Sequence, residues 1–350
     1  MTDTAFSLVP LLAKVVEGED LTATEAARAF GHIVSGLESP VRTGGLLAAL
    51  QTKGLAPSEV AGGVEALRGA MIPVESRDPG ALVDTCGTGG GSVSTFNIST
   101  ASALVVAAAG VPVAKHGNRS FTSKCGSADV LEALGVAVDL TPAGMSRVLD
   151  EAGIVFMFAP LLHPAMRHVV PVRRDLGITT IMNLLGPLTN PARARRQVVG
   201  VADPAFIDLV VRALMELGHD RALVVHGEPG LDELSPCGPT RVAELRDGRV
   251  SDYEVTPEGL GLDPVAPEEL AGGEPEENAA MVRAVLAGDE GGAARAAVLI
   301  NAAAAFQVAG RTDSLADGVA AAAESIDSGA AAAALDRLIR ASRRAAAARG

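Results

Sequence analysis

Cysteine is nearly missing from this chain: Cys86, Cys125 and Cys237 are the only three in 350 residues. They make neither a disulfide framework nor a Cys-x-x-Cys metal pattern. Reduced thiols are expected, although Cys86 and Cys125 lie in two loops that could be neighbours. Positive charge is also in deficit, with 29 Lys and Arg against 42 Asp and Glu and a net charge of −13. That balance disfavours a broad nucleic-acid surface or an anionic membrane surface. A local basic pocket for a small anion fits it better. No charge-free apolar run reaches the roughly eighteen residues of a membrane span. The opening MTDTAFSLVP lacks a basic signal-peptide start, so a cytoplasmic protein is expected. No repeat of about 20–50 residues is visible. The Asn-x-Ser tripeptides at Asn97 and Asn118 mean little without secretion.

A hydrophobic content of 48% over 350 residues suffices for one large domain or two unequal ones sharing a core. Residues 4–70 read as helices. Leu8, Leu11, Leu12, Val15 and Val16 keep helical spacing, Thr22 and Glu25 make a capping box, and Pro40 and Ser58 open two further helices. Met71 to Gly80, with two prolines, connects to a different pattern. Short apolar runs at 82–84, 111–114, 136–138, 154–158, 197–201 and 222–226 alternate with helical stretches, including 98–109, 127–134, 142–152 and 204–217. This alternation predicts a mostly parallel sheet covered by helices. Asp247-Gly248 between alternating runs signals a hairpin. Residues 276–348 are helical and alanine-rich, and their arginines read as a solvated face.

Two glycine-laden polar loops organise the chain. Cys86 to Asn97 carries Gly87, Gly89, Gly90 and Gly91 between a strand end and a helix start. Bare backbone N–H groups there suit an anion, and an ordinary turn is the alternative. The loop has neither the Walker A lysine nor the full dinucleotide fingerprint. Lys115 to Ser127 begins where the run 111–114 ends, and ligands in open α/β sheets collect at such carboxyl ends. Lys115 and Arg119 could balance a polyanion, with Asn118, Ser120, Thr122, Ser123 and Ser127 as neutral partners; a solvated surface loop is the alternative. Asp232 and Glu233 form an acidic pair just past the run 222–226, either a Mg²⁺ site or solvated. Arg173 suits a carboxylate ligand or a surface ion pair with Asp175 or Glu151, for which Arg174 is the better candidate.

GTGGGSVSTFNIST and AKHGNRSFTSKCGSADVLEALGV resemble the two phosphoribosyl-binding segments of the anthranilate phosphoribosyltransferases. LLHPAMRHVVPVRRDLGITTIMNLLGPLTNP extends the resemblance over most of residues 80–235. One departure stands out: the family usually ends its first motif in aspartate, where this chain has Gly91. The resemblance implies an α/β fold of the nucleoside phosphorylase/phosphoribosyltransferase type III kind. A small helical subdomain, 1–73 joined by part of 160–191, would sit on a larger mostly parallel-sheet α/β subdomain, 74–350.

The same resemblance implies transfer of 5-phosphoribosyl from phosphoribosyl diphosphate to the amine of anthranilate, with Mg²⁺, in a homodimer formed through the helices. Around the donor it would place Gly87, Gly90, Gly91, Thr95, Asn97, Ser99, Thr100, Lys115, Gly117, Asn118, Arg119, Ser123 and Ser127. Ser99, Asp232 and Glu233 would carry the metal, and Gly87, Asn118 and Arg173 would meet anthranilate. His116 would line the acceptor site and is the one candidate catalytic side chain, whereas His163 and His168 read as structural. Two alternatives stay open: a pyrimidine nucleoside phosphorylase of the same fold, against which the KHGNRS segment and the acidic pair argue, and a noncatalytic nucleic-acid binder, which would need a basic groove.

Overall fold

The computed structural model describes residues 6–120 and 124–348. Four helices come first: α1 (Val9–Val16), α2 (Ala23–Val34), α3 (Pro40–Lys53) and α4 (Pro57–Ala70). The expected capping box opens α2: Thr22 Oγ1 accepts from Glu25 N at 3.2 Å, and Thr22 N donates back to the Glu25 carboxylate at 2.8 Å. Proline at the first turn of α3 and α4 fixes their starts, and Ser39 caps α3. Leu21, Phe30, Leu46, Leu50 and Val60 are buried between these helices.

The α/β part runs β1 (Val83–Gly87), α5 (Ile98–Ala108), β2 (Val113–Gly117), α6 (Ser127–Ala133), α7 (Pro142–Ala152), β3 (Ile154–Phe158). Short helices α8 (Ala159–Leu162), α9 (Val170–Leu176) and α10 (Met182–Leu188) then return to the helical layer. The chain re-enters the sheet through β4 (Arg196–Gly200), α11 (Ile207–Glu216), β5 (Arg221–Gly227), β6 (Thr240–Arg246) and β7 (Arg249–Val255). It closes with α12 (Pro275–Ala287), α13 (Ala293–Ala309), α14 (Leu315–Asp327) and α15 (Ala330–Ala347). The seven strands lie in the order β3-β2-β1-β4-β5-β6-β7. The first five are parallel and the last two antiparallel. The expected fold class is thus the observed one.

Two apolar cores flank the sheet. One joins α5, α7, α13 and α15 to β1–β3. The other joins α2–α4, α9, α10 and α11 to β4–β6. Side chains alternate between faces along a strand. Val198, Leu223, Val225 and Val242 accordingly enter the first core, and Val199, Val224, Ala243 and Leu245 the second.

Three expectations are corrected. The run 136–138 is no strand: Val136 N donates to Leu131 O and Ala137 N to Ser342 Oγ, so this irregular connector is apolar because it packs under α15, not because it pairs. Strands β1 and β2 extend further than apolarity suggested. Lys115, His116 and Gly117 pair with Phe156, Met157 and Phe158, so the charged stretch begins inside the sheet rather than after it. Cys86 and Cys125 are not neighbours, since the first packs on the α10 core and the second lies in the α5 core. The hairpin holds, with Asp247 at φ 52° and Gly248 at φ 71°, the geometry a two-residue β-turn needs.

Candidate active site

At the carboxyl ends of β1, β4 and β5 three loops meet. Asp232, in the loop after β5, folds back over β1 and β4. Its carboxylate accepts from Gly89 N at 2.8 Å. A Cβ on Gly87 would stand 2.2 Å from that carboxylate, and one on Gly200 would stand 1.6 Å from the Asp232 carbonyl oxygen. Both positions therefore exclude a side chain. The first loop is clasped to the same segment, with Ser92 N on Gly230 O at 3.0 Å and Ser92 Oγ on Pro229 O at 2.9 Å.

Lys115 is buried beneath this loop. Its Nζ donates to Thr85 O at 2.7 Å and to Ser99 Oγ at 3.1 Å. Desolvation lowers its pKa, opposed by the negative charge of Asp84. Asp84, fully buried in β1, is held by His116 N at 3.2 Å, Asn190 Nδ2 at 2.8 Å and Gln197 Nε2 at 3.2 Å. Desolvation and then the Asp232 charge push Glu233 up to about 8, while Lys115 and the Ser99 backbone N–H oppose the rise. Desolvation raises Asp232 as well. Asp84 and Glu233 thus face one buried ammonium, with Asp232 beside Glu233.

On the other face of the sheet lies a cavity of about 380 Å³. Leu67, Met166, Val170 and Met182 give it apolar walls, and Asn118, Thr189 and Arg167 give it polar edges. Arg173 projects from α9 into it, half-buried, with no carboxylate partner among the described residues. Desolvation lowers the pKa of its guanidinium. Arg174 is the residue that meets Asp175, at 3.7 Å, while Glu151 is taken by Arg344. His116 and His163 close one end with their Nε2 atoms 3.2 Å apart. His116 also donates to the Gly186 backbone. Burial drives His116 down to about 3 and His163 down to about 4, so both imidazoles are neutral at pH 7.

Residues 79–332 match the glycosyl transferase family α/β domain, and residues 9–71 match that family's helical bundle domain. An anthranilate phosphoribosyltransferase from Roseiflexus castenholzii is 52% identical over 329 residues, covering 94% of this chain and 96% of the relative. One from Rubrobacter xylanophilus is 51% identical, covering 95% and 97%. The chain belongs to the anthranilate phosphoribosyltransferase family. Among solved structures, the enzyme from Thermus thermophilus superimposes with a TM-score of 0.90 at 46% identity, covering 95% of this chain and 99% of that one. The Saccharomyces cerevisiae enzyme in complex with phosphoribosyl diphosphate and Mg gives 0.87 at 26% identity, covering 96% and 98%.

Of the residues that the likeness to the anthranilate phosphoribosyltransferases singled out, the structure gathers Gly87, Ser99, Lys115, Asp232 and Glu233 around one point. Asn118 and Gly117 lie where β2 leaves the sheet: Asn118 O accepts from Ser127 Oγ at 3.1 Å, and Ser127 fills the space beside Gly117. Two residues point elsewhere. The Thr100 hydroxyl is turned inward without a hydrogen-bond partner among the described residues. The Arg119 guanidinium is held by Asp129 at 2.7 Å and Glu132 at 2.6 Å. Thr95 and Asn97 leave the first loop towards α5, Gly90 lies on its exposed crest, and Gly91 is half-buried against Gly230. Ser123 lies outside the described residues. His163, expected to be structural, lines the cavity and bonds His116. Asp84 and Gly200 were missed; the signal for Asp84 was an acid inside an otherwise apolar strand.

Proposed function

We propose that this chain transfers the 5-phosphoribosyl group of phosphoribosyl diphosphate to the amine of anthranilate, giving N-(5-phosphoribosyl)anthranilate and diphosphate. One observation carries the reading. A cavity with apolar walls and an unpaired guanidinium, Arg173, lies across one sheet from a cluster of backbone amides, Lys115 and paired carboxylates. The guanidinium fork matches the anthranilate carboxylate, and the walls match a planar ring. Asn118 and the backbone at Gly87 stand between the two halves, where amine and sugar would meet.

Gly87, Gly90, Gly91, Thr95, Asn97, Ser99, Thr100, Lys115, Gly117, Asn118, Arg119, Ser123 and Ser127 are the donor residues of this reading. Ser99, Asp232 and Glu233 would hold Mg²⁺. No three His, Cys, Asp or Glu side chains cluster as a metal cage among the described residues. Two carboxylates and a hydroxyl nevertheless fit an ion that takes most of its oxygens from phosphates and water, and a cation there would offset the burial and the Asp232 charge that raise Glu233. When bound, the ion would neutralise charge leaving with the diphosphate. Lys115 supplies a fixed positive charge beneath the same point. The amine is already a neutral nucleophile, so no strong base is required. His116, bonded to His163 and Gly186, acts as wall rather than base.

In this reading, residues 1–73 with part of 160–191 form the helical domain and 74–350 the donor-binding domain. Exposed Val9, Val16, Leu37 and Val41 on the helical layer support a homodimer through these helices. Among the described residues no helix is long and apolar enough to cross a membrane, and the acidic surface fits a cytoplasmic enzyme that binds neither nucleic acid nor membrane. Following anthranilate consumption with phosphoribosyl diphosphate and Mg²⁺ tests the reading. No turnover with anthranilate, alongside phosphorolysis of a pyrimidine nucleoside, would replace it.

A further inference from the structure

Asn97 sits at the N-cap of α5, where an asparagine ordinarily bonds its side chain to the first free amides of the helix. Here it makes no such bond. Its Nδ2 donates to Cys125 O at 3.2 Å, tying the end of the first loop to the end of the second. Its Oδ1 accepts from Cys125 Sγ at 3.4 Å and from Asn278 Nδ2 at 3.0 Å. Asn278 lies in α12, outside both loops, and is 2% exposed. Its own Oδ1 accepts from Gly273 N at 2.7 Å.

The segment before α12 runs along the same place. Phe96 N donates to Leu270 O at 3.0 Å. A Cβ on Gly272 would stand 2.7 Å from Thr95 O and 2.9 Å from Phe96 N, so the two backbones touch. Residues 270–278 therefore form a strap across the base of both loops, and its last bond is the Asn278 amide.

We propose that Asn278 is a positioning residue for the phosphoribosyl donor: it fixes the Asn97 amide, and through it the spacing of the two loops. The inference rests on the donor reading given above. Its chemistry requires an amide at 278, because the side chain must accept from Gly273 and donate to Asn97 together. A carboxylate keeps the first bond and sets two acceptors face to face at the second. If Asn97 turns over to meet it, the Asn97 oxygen then confronts the Cys125 carbonyl, so one atom's change disturbs three groups.

The test is the dissociation constant of phosphoribosyl diphosphate with Mg²⁺, measured by titration calorimetry on the full chain, together with steady-state constants for both substrates. Asn278→Ala should weaken donor binding about tenfold, the usual loss for a buried hydrogen bond between neutral groups. The nearly isosteric Asn278→Asp should weaken it at least as much, and neither should move the anthranilate KM beyond about twofold. In an Asn97→Ala background, Asn278→Ala should add nothing, since it acts through Asn97. Gly272→Ala should weaken the donor as well, through backbone separation alone. If Asn97→Ala weakens the donor and the Asn278 variants do not, the positioning role is wrong while the donor site stands. Equal weakening of both substrates with a lowered unfolding midpoint would make Asn278 merely structural. Unchanged donor binding in Asn97→Ala would instead remove the first loop from the donor site.

Discussion

Lys115 and His116 are adjacent in β2 and serve opposite faces of the sheet. The lysine reaches towards α5, where Thr85 O and Ser99 Oγ hold its ammonium. The histidine reaches towards α10, where His163 and Gly186 hold its ring. On the lysine side, recognition groups are charged, close-packed and bonded to one another through backbone amides. On the histidine side, the space is open, its walls apolar, and its imidazoles neutral. Strand alternation alone separates the two chemistries by one residue. In the proposed reading a polyanion would be met with charge and N–H groups, and an aromatic acid with shape and a single guanidinium.

The comparison breaks first at the carboxylates. Replacing Asp232 and Glu233 together by alanine should lower turnover about a thousandfold or more, since a metal's stabilisation of leaving charge is worth several kcal/mol. The fold should persist, which a thermal melt checks, because desolvated carboxylates of like charge are being removed. Full activity at ordinary Mg²⁺ would mean that the pair holds no metal. Next comes Arg173→Ala. Loss of a charge-assisted contact of ~1.5–3 kcal/mol predicts a fall of about 10- to 150-fold in kcat/KM for anthranilate, with the donor constants unmoved. Kinetics varying each substrate in turn read this directly, and equal losses for both substrates would erase the division of labour.

A smaller effect sharpens the acceptor side. His163 titrates at about 4 when folded, below the usual value near 6.5. A depressed histidine keeps its full stability contribution above about pH 6.5. It loses that contribution as pH falls towards 4, at about 1.4 kcal/mol per pH unit, because the unfolded chain then binds the extra proton. His163→Asn should flatten the acid limb of the stability curve by about that slope in denaturant melts from pH 4 to 6.5. An unchanged limb would mean that His163 is not held neutral.

The smallest effect belongs to Gly91→Asp. Turnover should become more sensitive to excess Mg²⁺ by a few-fold, because a carboxylate beside Asp232 adds a ligand for a second ion. A Cβ at 91 would stand 2.7 Å from Gly230 O, so the clasp to the loop after β5 must ease as well. Identical Mg²⁺ profiles for the two proteins would place position 91 away from the metal.

Much of this was legible in the sequence for physical reasons. Capping at Thr22 and Glu25, glycines at a strand-to-helix turn, and Asp247-Gly248 are local signals that survive in the fold. What escaped was non-local. Lys115 and His116 look like loop residues because charged and polar side chains seldom end a buried strand; Asp84, Asn190, the Thr85 carbonyl and the Ser99 hydroxyl make them strand residues. Val136–Val138 looks like a strand because burial under α15 needs the same residue types as burial in a sheet. Asn278 carries no signature of its own, since its partner is far away in the chain and the bond is between two ordinary amides.

The alternation along β4, β5 and β6 also bears on how the molecule comes apart. Those three strands give one face to the helical layer and the other to the α5–α13 layer. The matches to the helical bundle domain and the α/β domain part between residues 71 and 79, but the packing runs across that point. Detaching the first four helices would strip α11, the helix that lies on β5 and β6, of its cover by α4 in a single step. Amide protons in these strands should exchange only by global opening, and the helical bundle should not behave as an independently melting foldon. Two modules in the outline of the polypeptide are, in unfolding, a single body hinged on nothing.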